Sequence, residues 1–241
     1  ISLDVNSYLT HSVDNSTISQ SSMGISAECY YCELTVSDSS FKNITNYVMY
    51  LDSFSYGKVT LANNTFASVG SLHVRYAGYV SILDNQFEAS GGVDLYDIRN
   101  NVTFKDNQVT ESGSVQIRPY RYDDIIESII VENNTLKGKS GIYTGGLHIN
   151  LYDVVVETDF SIKGNTISGY GYSNSYGYEG YGLYINSSKN VAPVIAENVI
   201  TDNPGIGIYL SGKVLPILQD NIVTDNGAGI YVNYSEDEAE G

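Results

Sequence analysis

VTLANNTFASVGSLHVRYAGYVSILDNQF, Val59 to Phe87, contains two copies of one eight-residue frame. Each copy reads apolar, any, apolar, any, any, Asn, any, apolar: VTLANNTF from Val59 and VSILDNQF from Val80. Between them lies a short triplet, Leu72-His73-Val74. Downstream the frame recurs as VTFKDNQV from Val102, IIVENNTL from Ile129, FSIKGNTI from Phe160, PVIAENVI from Pro193 and PILQDNIV from Pro216. Upstream are two weaker copies, HSVDNSTI from His11 and LTVSDSSF from Leu34. The sixth position is Ser16, Ser39, Asn64, Asn85, Asn107, Asn134, Asn165, Asn198 and Asn221, at separations of 23, 25, 21, 22, 27, 31, 33 and 23 residues. A minimum near 21 with larger values above it marks a fixed coil with loops inserted into some turns.

The triplet recurs as well, at Val93-Asp94-Leu95, Val115-Gln116-Ile117, Leu147-His148-Ile149, Leu183-Tyr184-Ile185, Ile208-Tyr209-Leu210 and Ile230-Tyr231-Val232. Ile25-Ser26-Ala27 and Val48-Met49-Tyr50 are the expected earlier members. Strands this short cannot bury an apolar face alone, but stacked coils can, at a spacing of about 4.8 Å. The pattern therefore predicts an all-β fold: a right-handed parallel β-helix of about nine coils with inserted loops, its core roughly 40 Å long. Residues 1–234 form one domain in this reading, and 235–241 an acidic tail or linker. The recurrent asparagine is expected at a bend, where its amide offers donor and acceptor to unpaired peptides and tolerates left-handed backbone.

Composition narrows the partners. The chain has 241 residues, with 28 acidic against 12 basic and a net charge of −16. Such a surface repels phosphate backbones, so nucleic acid is not an expected partner. No apolar run is long enough for a membrane span. The first residue is Ile1 rather than Met, and no signal peptide is legible, so a processed protein or a piece of a larger one is expected. Sequons at Asn15, Asn43, Asn63, Asn101, Asn133, Asn186 and Asn233 point to an extracellular or cell-surface glycoprotein. Cys29-Tyr30-Tyr31-Cys32 can be a local disulfide, free thiols, a redox pair or half a metal site. A bond between Cys29 and Cys32 requires Tyr30-Tyr31 to turn, because residues three apart on a strand lie roughly 10 Å apart.

The stretch AENVITDNPGIGIYLSGKVLPILQDNIVTDNGAGIYVNYS, Ala196 to Ser235, resembles the parallel β-helix repeats of carbohydrate-binding and sugar-hydrolase proteins, periplasmic copper-maturation solenoids and archaeal or bacterial cell-surface proteins. The resemblance runs from about residue 11 to 234. It implies the fold more than the function, because the repeated residues are the core.

Enzymes of such families usually work on one outer sheet face, under loops. The outward column of the triplets reads Ser26, Met49, His73, Asp94, Gln116, His148, Tyr184, Tyr209 and Tyr231, with Arg75, Tyr96 and Arg118 two residues further along their strands. His73, Asp94, His148 and Arg118 are the candidate catalytic groups, since histidine beside a carboxylate can move protons and arginine can hold a uronate. Gln116, Tyr184, Tyr209 and Tyr231 are the candidate ligand-binding groups. The insertions Gly138–Gly146 and Ser168–Gly182, the latter rich in glycine and tyrosine, are expected to wall a groove over this face, with Pro119–Glu127 and Asp153–Asp159 at its other end. No cofactor is expected, except that Asp84 and Asp106, one place before the asparagine column, can share calcium. The carboxylate, Arg and Lys sets of pectate lyases and polygalacturonases are not legible, and Asp123-Asp124 is the sole acidic pair of that type. The expected function is an extracellular structural or adhesive solenoid within a filament, surface layer or multidomain surface protein. Its ends are expected to be covered by other copies or flanking domains. The alternative is a polysaccharide-binding or polysaccharide-degrading protein, a lyase or hydrolase if an enzyme at all. Periplasmic cofactor maturation is disfavoured by the supply of only three histidines and two methionines.

Overall fold

The computed structural model describes residues 2–5, 9–119, 125–139, 145–174 and 177–235, with the side chains of 2–5 and 172–179 left aside. It is an all-β parallel solenoid of about nine turns. Each coil has three faces, and the eight-residue frame spans two of them. Its first half forms the first face, a nine-stranded parallel sheet running from Thr10–Asp14 to Ile217–Gln219. After the asparagine the chain turns onto the second face, as at Gln86–Glu88 and Thr166–Ser168. The triplets form the third face, as at Val93–Ile98 and Leu147–Leu151. The three upstream strands Thr17–Cys29, Ser40–Asp52 and Thr65–Arg75 run through the second corner unbroken, so the second and third faces belong to one sheet.

From the second coil to the eighth, alternating residues of every face point inward and are buried, as the period-2 patterning predicts. Like side chains stack on like: Phe41, Phe66 and Phe87 lie with ring centres 5.0 and 4.6 Å apart, nearly parallel.

At the first corner, each side-chain oxygen from Asn64 to Asn221 accepts the backbone N–H of the ladder residue one coil earlier, at 2.9–3.0 Å. Each Nδ2 donates to a first-face carbonyl of the coil before, such as Asn107 to Ile82 at 2.9 Å. Ser39 Oγ does the same for the Ser16 N–H at 3.1 Å. The ladder satisfies peptide groups that would otherwise be stranded in a dry interior.

The left-handed backbone belongs to a different column from the one expected. It falls on the residue before each ladder member: Asn15, Asp38, Asn63, Asp84, Asp106, Asn133, Gly164, Glu197 and Asp220 have φ between 48° and 63°. Short Asn and Asp side chains and glycine tolerate this geometry, which explains a column that reads almost entirely Asn, Asp or Gly. Glu197 is the exception.

Two further expectations change. Met49 is fully buried and pairs with Leu72, so Tyr50 rather than Met49 takes the outward place beside His73. The register shifts between Ile44, Tyr47 and Met49 absorb the longer repeat there. The backbone crowds at this point: a Cβ on Gly70 would lie 1.5 Å from the Asn46 carbonyl oxygen. The insertion at 153–159 does not project as a wall. Val155 and Val156 pair with Ile125 and Ile126, lengthening two strands of the first face.

In the ninth coil Ile217, Leu218, Ile222, Ile230, Tyr231 and Val232 are all exposed. At the other end Ser2–Val5 adds a parallel strand beside Ser26–Cys29, so the N-terminal stretch does contribute to a coil. Most of the acidic tail, 236–241, lies outside the described residues.

Candidate functional site on the third face

The third face carries an outward row in register from coil to coil: Ser26, Tyr50, His73, Asp94, Gln116, His148, Tyr184, Tyr209, Tyr231. All but the second member match the expected column. Parallel pairing brings together groups 21 to 36 residues apart in the chain, which no local motif reveals.

The upstream half of the row opens into a cleft of about 350 Å³ lined by Tyr47, Tyr50, His73, Arg75, Asp94, Tyr96 and Arg118. Arg118 Nη2 donates to both oxygens of Asp94, at 2.6 and 2.7 Å. His73 Nδ1 stands 3.5 Å from Asp94 Oδ2. Arg75 Nη1 donates to Tyr50 Oη at 3.0 Å and lies 3.6 Å from Asp52 Oδ2, while Tyr50 Oη donates to Asp52 at 3.2 Å. The arginines also cover rings: Arg118 Cζ is 4.7 Å from the centre of Tyr96, and Arg75 Cζ 5.2 Å from that of Tyr76. Burial pushes the His73 pKa below its usual 6.5, Asp94 opposes the shift, and Arg118 and Arg75 reinforce it. Burial and Arg118 likewise lower His148. Both histidines are therefore mainly neutral at pH 7.

The downstream half is aromatic. His148 meets Tyr184 edge-on at 4.3 Å, and Tyr184, Tyr209 and Tyr231 follow at 5.4 and 5.1 Å, with Tyr181 packed against Tyr184 and Tyr209. Burial raises the Tyr184 pKa, so it remains a neutral phenol. Gln116 joins the two halves and is held by its own bond to Ser114 Oγ at 3.0 Å.

Of the four expected catalytic groups on this face, His73, Asp94 and Arg118 stand together and His148 stands apart. Asp94 is occupied on both oxygens by Arg118, and His148 is separated from it by the coil carrying Gln116. The Asp123-Asp124 pair lies outside the described residues, as do 140–144 of one expected wall and 175–176 of the other. Tyr170, expected in a projecting loop, is instead fully buried in the core. Asp84 and Asp106 occupy adjacent exposed corners, and no cluster of three or more His, Cys, Asp or Glu among the described residues could hold a metal ion.

A family model for the right-handed β-helix region matches residues 1–136 and 125–240. The chain belongs to the right-handed β-helix family. No curated protein and no solved structure matches it. Family membership thus specifies the scaffold and leaves its site to be argued from side chains.

For this β-helix, several sequons have a structural origin. In Asn15-Ser16-Thr17, Asn63-Asn64-Thr65 and Asn133-Asn134-Thr135, a left-handed Asn, a ladder residue and the first strand residue of the second face follow in turn. Asn43 is also left-handed and exposed. Asn186 Nδ2 donates to Asn150 at 3.2 Å, Asn101 lies 3.2 Å from Ser128 Oγ, and Asn233 is exposed on the last strand. Cys29 and Cys32 are joined as a disulfide, Cα atoms 5.7 Å apart, across the Tyr30-Tyr31 bend.

Sequence reasoning missed Tyr47, Tyr50 and Asp52, hidden by the register shift. It also missed a second, shorter ladder, in which Asn203 Oδ1 accepts the Tyr170 N–H at 3.0 Å and Asn226 Oδ1 accepts the Asn203 N–H at 3.1 Å. The repeated Thr-Asp-Asn at 201–203 and 224–226 was its available signal.

Proposed function

We propose that this β-helix is an extracellular surface solenoid, structural in build and adhesive in role, whose third face binds a polysaccharide without cleaving it. The observation that carries this is the composition of the outward row. Rings and guanidinium groups follow one another from Tyr50 to Tyr231, supplying apolar faces for sugar rings and donors for hydroxyls. Against catalysis stands the pairing of Asp94 with Arg118, which leaves no carboxylate of the cleft lining disengaged. Both arginines are balanced by Asp94 and Asp52, and the whole chain carries −16, so a neutral polymer fits better than a polyanion. Display at a cell surface, glycans on the exposed sequons and association through the apolar ninth coil are parts of the same reading.

Affinity electrophoresis in gels containing neutral plant or microbial polysaccharides tests it. Retardation is expected, weakened by Tyr184→Ala with Tyr209→Ala, with no new reducing ends or unsaturated products. Failure of every polymer to retard the protein, or release of products, would overturn it.

A further inference from the structure

The cleft on the third face has a neighbour around the corner. A second cleft of about 400 Å³ lies at the start of the first face, with Tyr56 and Tyr79 on its walls and Lys58, Asn101 and Thr103 among its polar groups. Tyr56 and Tyr79 are 56% and 40% exposed, and Tyr31 stacks on Tyr56 at 5.3 Å while Tyr30 meets it edge-on at 5.4 Å, so the aromatic surface extends beyond the cleft. The two clefts share the same coils. Arg75 of one and Tyr79 of the other are four residues apart, so their Cα atoms are at most ~14 Å apart.

On the coil that joins them the corner between the clefts consists of half-buried Tyr76 followed by Ala77 and Gly78, both buried, and a Cβ on Gly78 would come 2.9 Å from the Gly57 carbonyl oxygen. Arg99, from the coil above, reaches across to the coil below and covers Tyr56, its Cζ 5.5 Å from the ring centre. On the near side Tyr76 lies between Arg75 and Tyr96, its ring centre 6.4 Å from that of Tyr96. Guanidinium-on-ring surfaces therefore approach the corner from both sides. The far cleft sets hydroxyl, amide, ammonium, carboxylate and phenol groups beside two tyrosine rings, a lining suited to a sugar, whose hydroxyls and apolar ring faces both find partners there.

We infer that the polysaccharide of the third face turns this corner and ends in the Lys58–Asn101 cleft, so that the protein reads chain length. This rests on the saccharide reading of the third face and adds a second subsite to it. Each cleft alone holds only a short piece of chain. A chain long enough to occupy both gains from the second contact as an intramolecular event.

Isothermal titration with cello-, xylo- and manno-oligosaccharides, dimer against octamer, tests the inference. In at least one series the octamer is expected to bind about tenfold tighter than the dimer or better. In the double variant Lys58→Ala, Tyr79→Ala that ratio is expected to fall toward one, with the melting temperature serving as the control for folding. Equal affinity for dimer and octamer, or a ratio that survives in the double variant, overturns the corner path while the third-face reading stands. If no series binds, both fall together.

Discussion

The asparagine ladder and the outer row of the third face are built alike, one residue per coil in parallel register, yet they differ in every other respect. The ladder is buried from Ser39 to Asn198 and nearly invariant along the chain, and each member does the same work for the one a coil before it. The outer row is half-exposed and changes from tyrosine to histidine to aspartate to glutamine and back to tyrosine. Repetition follows where every coil poses the same problem, namely peptide groups at a bend shut away from water. Variation is permitted where water solves that problem, and there a surface can take up a ligand.

The largest effect that can break this contrast is Asn107→Leu. It removes the acceptor for the Asn85 N–H and the donor to the Ile82 and Lys105 carbonyls. A loss of about 3 kcal/mol or more is expected, from several buried groups stranded at once. Chemical denaturation checks it, and an unchanged midpoint would mean that the ladder is ornamental. Next in size is Glu197→Gly. Glu197 holds φ at 58° without the short side chain that favours it, so glycine should stabilise by about 1 kcal/mol, whereas Asp106→Gly should give less. A destabilised Glu197→Gly would show that the side chain makes up for its backbone.

On the outer row, Asp94→Asn weakens a half-exposed pair with Arg118 and should cost less than about 1 kcal/mol. A loss as large as that of Asn107→Leu would make the row structural and erase the distinction. The smallest expected effect is on pH. His73 and His148 titrate below the unfolded value of 6.5, so the unfolded chain binds their protons more readily. Their contribution to stability is full above pH 6.5 and is lost as pH falls through their folded values. Between pH about 7.5 and about 5.5 the wild type should lose more melting temperature than His73→Gln, His148→Gln. Equal losses would show that burial of these rings is immaterial.

Most of the scaffold was legible. Leu72, Val74, Val80 and Ile82 announce their inward places by alternation, and Asn64, Asn85 and Asn107 by recurrence at coil spacing. The error at Met49 arose where Val48-Met49-Tyr50 offers two ways to alternate, and only the bulge after Ile44 selects one. Tyr170 misled because a tyrosine among glycines looks like a loop residue until its ring is seen in the core.

The sequence by itself determined the coil, the number of turns and the identity of the ladder, because each is a periodic demand that burial imposes on every repeat. It could not determine that Arg118 would clasp Asp94, that Tyr50 would replace Met49 beside His73, or that Arg99 would reach past Gly78 to Tyr56. Those contacts join residues from different coils, and their geometry depends on side-chain direction and on local bulges rather than on period. A repeat fixes which residues share a face, whereas the meeting of two side chains on that face is decided only when the coils are stacked.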